Sequence, residues 1–171
     1  MYLLLAVCVW IILGVGYVDW KRWKEYYPTV LYYCLVNLLY EFLYYNHSLW
    51  TFRTASSSIL NHTIINLAFL SVINPIAIMI YLQRFPQKRM TKVVYVLAWS
   101  FLYWIIEFIF SQKGSFVYGN GWSIWHSAWF DPLMFIMFRL HFTKPLLALG
   151  VTLVIIAVFL SFFPVPLSSM K

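Results

Sequence analysis

Six apolar segments fill most of this chain, at roughly residues 1–18, 29–46, 63–82, 93–110, 122–140 and 145–163. A membrane-spanning helix needs about 20 mainly apolar residues at a rise of ~1.5 Å each, and all six segments meet that length. Short breaks separate them. DWKRWKEYYP (19–28) is charged and ends at Pro28, HSLWTFRTASSSILNH (47–62) is polar, and QRFPQKRMTK (83–92) is strongly basic. SQKGSFVYGNG (111–121) carries glycines, and HFTK (141–144) leaves only a tight antiparallel turn before Pro145. Composition agrees: 171 residues that are 63% hydrophobic and 10% charged, with a mean hydropathy of +0.78, cannot supply a soluble domain with a polar shell. The expected fold is an all-α integral membrane protein, one transmembrane domain over residues 1–171 forming a bundle of six spans. A five-span alternative lays the first segment flat. Residues 1–18 carry no basic n-region and Val7 is too bulky for a lipoprotein box at Cys8, so they are expected to stay as a span.

The net charge of +7 does not read as nucleic-acid binding, because the basic residues sit in short runs between apolar segments. The first, third and fifth loops hold Lys21, Arg22, Lys24, Arg84, Lys88, Arg89, Lys92, Arg139 and Lys144; the other side holds Arg53, Lys113 and Lys171. The positive-inside rule then makes the odd loops cytoplasmic and puts both termini outside. Cys8 and Cys34 lie inside apolar runs without CxxC spacing and read as small packing residues.

Of the five acidic residues, Glu41, Glu107 and Asp131 fall inside predicted spans. A carboxylate at the bilayer centre costs ~2.5–3.5 kcal/mol on insertion scales, so each must face a bundle interior, a water-filled cavity or a partner. By rise per residue Glu41 and Glu107 lie ~18–21 Å from the inner surface and Asp131 ~14 Å from the outer one, which lets three helices converge on one outward-opening acidic pocket. Polar neighbours recur at helical spacing: Asn37 with Glu41, Ser100, Tyr103 and Trp104 with Glu107, and Ser123 and Ser127 with Asp131. The third span adds His62, Asn66 and Asn74. Prolines follow polar residues at Asn74-Pro75 and Asp131-Pro132, where a lost backbone donor should kink the helix. The plainer reading is that these groups only hydrogen-bond neighbouring helices, for ~0.6–2 kcal/mol each. His62 and His126 are expected to reach the outer interface. Trp122, Trp125 and Trp129, at i, i+3 and i+7, read as one aromatic face that anchors there, or as a stacking wall for a ligand.

No HExxH, GxSxG, Walker A or GxGxxG pattern occurs, no zinc spacing is present, and no cofactor or catalytic residue is expected. DWKRWKEYYPT, NLLYE, HSLW, NHTIINL, the Asn74-Pro75 pair, the Tyr95, Trp99, Tyr103, Glu107 series and YGNGWSIWHS together resemble one family across nearly the whole chain. It is the family of uncharacterised small multi-spanning membrane proteins of Bacillus-type and Clostridium-type spore-forming bacteria. The resemblance implies a bacterial plasma-membrane protein of five or six spans without a known cofactor. Three functions compete: a structural or regulatory membrane component, a binding or transport protein with an acidic pocket for a cation, proton or amphipathic ligand, and an intramembrane lipid-acting enzyme. The first leads, since so short a chain has little room for two-sided alternating access unless it forms a homo-oligomer or joins another membrane protein. The bilayer itself is the expected partner, and nucleic acid is not.

Overall fold

The computed structural model describes residues 2–53, 62–166, 168 and 170–171. Six helices follow one another: α1 (Tyr2–Tyr17), α2 (Trp23–Leu43), α3 (His62–Gln83), α4 (Arg89–Gln112), α5 (Ile124–Thr143) and α6 (Pro145–Phe162). They match the six apolar segments to within four residues at each end, except that α2 starts six residues early, at Trp23. Helices α3, α4 and α6 are each long and apolar enough to cross a membrane. The α1 and α2 pair, which meet at a bend of 88°, adds a fourth such unit. Helix α5 has the length but carries His126, Asp131, Arg139 and His141 among its apolar residues.

Pro28 does not break the chain as its position at the end of a charged run predicts. Helix α2 starts at Trp23 and continues through it. Only the Lys24 carbonyl loses its partner to the proline ring, and Lys24 is exposed, where water can take its place. At Asn74-Pro75 the expected disruption takes a defined form: Phe69–Ile73 is a π-helical turn, and the α-helix resumes at Asn74. At Asp131-Pro132 the helix stays continuous. Lys144 alone joins α5 to α6; Pro145 pushes it out of the helical region, to φ −144° and ψ 71°, and the chain reverses there.

Helix α3 is the centre of the bundle. Ile76, Ala77, Ile78, Met79, Ile80, Tyr81 and Leu82 are consecutive and all buried. Helix α1 crosses α3 closely at Gly14, where a Cβ would stand 3.0 Å from Ile76 Cδ1. The outer faces of α1, α4 and α6 are instead lined with exposed Leu, Ile, Val and Phe, such as Ile12, Phe101 and Leu153. In water that belt would drive aggregation, whereas against lipid tails it costs nothing. Packing inside the bundle therefore rests on van der Waals fit and interhelical polar contacts rather than on escape from water.

The two ends of the bundle differ in charge. At one end the α1–α2 turn is tied to the α3–α4 turn by Asp19 N–H donating to Gln83 Oε1 (2.8 Å) and by Arg84 Nη1 donating to the Tyr17 carbonyl. Arg139 stacks over Phe85 there, 4.5 Å from the ring centre. At the other end Tyr44 OH donates to the Phe163 carbonyl, and Lys171 N–H to the Phe42 carbonyl. The sequence reading expected loops alone between spans here. The structure adds a two-stranded antiparallel ribbon, β1 (Trp50–Phe52) with β2 (Phe116–Tyr118), in register Trp50 to Tyr118 and Phe52 to Phe116. The Gly119-Asn120-Gly121 turn fixes the exit of β2: Asn120 and Gly121 have φ of 50° and 85°, and Asn120 Nδ2 donates to the Ser48 carbonyl (2.9 Å).

Candidate functional site

The six helices surround a cavity of about 950 Å³, covered at one end by the ribbon. Trp50, Phe52 and Phe116 of the ribbon form part of its lining, and Arg53 and Lys113 stand at this rim. Trp50 is held flat on Tyr40, with ring centres 4.4 Å apart and an interplanar angle of 4°. The Tyr40 hydroxyl also accepts the Leu49 N–H (3.0 Å), so α2 carries the ribbon by both stacking and hydrogen bonding. Walls further down are apolar, with Val36, Met137, Phe138 and Ile155 among them.

Three polar groups sit on these walls. The first is built around Glu107 on α4. Its Oε1 accepts from Ser127 Oγ (2.5 Å) on α5 and from Tyr118 OH (2.8 Å) on β2. Ser127 in turn accepts the indole N–H of Trp122 (3.0 Å). One carboxylate oxygen thus ties the ribbon, α4 and α5 together. Asp131 lies one turn below Ser127 on the same helix face, is 5% exposed, and among the described residues has no hydrogen-bond partner for its Oδ2. Both acids line the cavity.

The second group is centred on Asn74. Its amide donates to Tyr33 OH on α2, and its carbonyl accepts from Tyr103 OH on α4 (2.8 Å). The third lies to the side. Asn66 Nδ2 donates to Glu41 Oε1 (2.9 Å) and approaches Asn37 Oδ1 (3.5 Å). His62 Nδ1 accepts the Phe52 N–H (3.2 Å), which leaves the ring proton on Nε2. Nε2 faces Glu41 Oε2 at 3.6 Å, too long for a hydrogen bond.

Glu107, Asp131, Asn37, Asn66, Asn74, Ser127 and Trp122 all line the one cavity. Glu41, His62 and His126 do not, so the convergence of three acids expected from the sequence reduces to two. Glu41 turns to Asn66 and His62 because helix α3, which the sequence places beside it only by polarity, supplies both partners at one turn's spacing. His126 is exposed; its Nδ1 pairs with Ser123 Oγ (2.8 Å), and its ring packs on Trp122 and Phe163.

The tryptophan face needs correcting. Helix α5 begins at Ile124, and Ser123 before it is extended (φ −153°, ψ 167°). Trp122 therefore leaves the helical register and turns inward, 6% exposed, while Trp125 and Trp129 are 69% and 83% exposed. Ser123 likewise leaves the Ser127–Asp131 stripe. Tyr118, Tyr33, Tyr40 and Trp50 also belong to the site but are not among the residues expected there. Trp50, Tyr118 and Tyr40 stand in the motifs HSLW, YGNGWSIWHS and NLLYE, yet a three-residue ribbon has no readable period and tyrosine is common throughout this chain, so no sequence signal assigned them a role at the cavity.

Among the described residues no group of three or more His, Cys, Asp or Glu side chains is arranged to hold a metal. Compared with protein-family models, curated proteins and solved structures, the chain matches none.

Proposed function

We propose that this protein binds an amphipathic ligand inside the membrane, with the ligand's polar end at Glu107 and Asp131. The observation that carries this reading is the cavity itself. It runs from two carboxylates under the ribbon to an apolar interior, and its lining includes Leu5 and Val9 of α1 and Leu39 of α2. Those three side chains are also on the outside of the bundle, 62%, 44% and 36% exposed. These side chains therefore face both the cavity and the outside of the bundle. A hydrocarbon chain can thus enter from the bilayer, as an apolar pocket with few placed polar groups favours. Sequence alone ranks a structural or regulatory role first; a cavity this large is what a tightly cemented bundle would not keep, because unfilled volume destabilises packing.

In this reading the protein has six spans and sits in a bacterial plasma membrane, with both termini and the ribbon outside. The uneven sharing of Lys and Arg between the two ends supports that orientation. It belongs with the small multi-spanning proteins of spore-formers that its motifs resemble. A photoreactive side chain at Met137, inside the cavity, should cross-link to a bound amphiphile, with Leu153 on the outer face of α6 as the control for bulk lipid. Adducts at Leu153 but only protein–protein products at Met137 would leave the cavity without a ligand and end this reading.

A further inference from the structure

We infer that the ligand's polar end is a cationic amine, seated against Asp131 and Glu107. The inference rests on the amphiphile reading above and adds the chemistry of the head group. Asp131 is the deciding residue: it is 5% exposed, it lines the cavity, and its Oδ2 has no partner among the described residues. A buried carboxylate oxygen left without a donor is costly, and native proteins rarely keep one without a use. Glu107, the second acid on the same wall, accepts from Ser127 and Tyr118, both uncharged. Among the described residues no Lys or Arg pairs with either acid. Arg53 and Lys113 line the ribbon end of the cavity, but neither forms an ion pair with Asp131 or Glu107. Asp131 therefore presents a carboxyl oxygen that no donor among the described residues takes, and an ammonium group supplies a donor together with the charge to pair with it.

The surrounding walls fit the same chemistry. Trp122 and Phe130 line the cavity next to Ser127 and Asp131, and aromatic faces attract cations most strongly where water is excluded. An anionic head group would meet two carboxylates instead. A neutral alcohol could satisfy Oδ2 but would leave the charge unbalanced. The tail would extend past Val36 and Met137 toward Leu5, Val9 and Leu39, which line the cavity and are also exposed on the outside of the bundle.

The test is calorimetric titration of the full-length protein in neutral nanodiscs with dodecylammonium, dodecanol and dodecanoate, with the heat from empty nanodiscs subtracted. Dodecylammonium should bind at least about tenfold more tightly than dodecanol, and dodecanoate weakest; one tenfold step corresponds to ~1.4 kcal/mol. Asp131→Asn should erase the preference for the amine, bringing dodecylammonium to within about threefold of dodecanol on the same variant. The comparison among the three ligands on the unaltered protein decides the matter even if Asp131→Asn does not fold, and Glu107→Gln provides a second variant. Equal affinities, or a preference for dodecanoate, would overturn the amine assignment and leave the amphiphile reading standing. Binding of none of the three would overturn both.

Discussion

Ser127 illustrates how much of this molecule depends on single hydroxyls. Its oxygen accepts the Trp122 indole N–H and its hydroxyl donates to Glu107 Oε1, so one side chain satisfies a buried donor and a part-buried acceptor. Ser127→Ala leaves both without that partner. Orphaning buried polar groups costs on the order of 1–3 kcal/mol, so the variant's thermal unfolding temperature in detergent should fall by several degrees. An unchanged unfolding temperature would mean that the three groups contribute little to holding α4, α5 and the ribbon together. The i, i+4 relation of Ser127 to Asp131 was legible in the sequence, because helical period alone determines it. The inward turn of Trp122 was not. It depends on Asn120 and Gly121 adopting positive φ and on Ser123 staying extended, so the helix starts two residues later than an unbroken apolar pattern implies.

At the scale of elements, the helices were legible because a long apolar run between polar breaks has few other solutions. The 3.6-residue period placed Glu107 and Asp131 on inward faces without any tertiary information. The ribbon was hidden for the opposite reason: Trp50–Phe52 and Phe116–Tyr118 are three residues each and far apart in sequence, and neither alternates clearly enough to read as a strand. Helix α1 is the element whose role topology decides. It approaches α3 closely at Gly14, meets α2 at a bend of 88°, and lines the cavity with Leu5, Ala6, Val9 and Trp10. If α1 crosses the membrane as proposed, a tag at the N-terminus will be reached by an impermeant reagent from outside intact cells. A tag reached only from the cytoplasmic side would put α1 flat on the membrane and remove it as a wall.

On the scale of the whole molecule, the features agree on one use. Exposed apolar side chains cover α1, α4 and α6, while the second half of α3 is buried at the centre and Asn66 and Asn74 of the same helix line the cavity. The ribbon covers the acidic end, and Glu107 fastens it through Tyr118. Two of the three acids that the sequence places within apolar segments end at that cavity, and the third, Glu41, supports its flank through Asn66. The sequence could not divide them, because depth in the membrane places all three at a similar level while only packing decides which way each points. The most direct test of a ligand-binding cavity is native mass spectrometry of the protein released from mild detergent, beside a Val36→Trp, Ile155→Trp variant that fills the apolar interior. The account predicts one retained amphiphile on the unaltered protein and none on the filled variant, with both folded. A bare protein in both cases, or the same adduct on both, would contradict it.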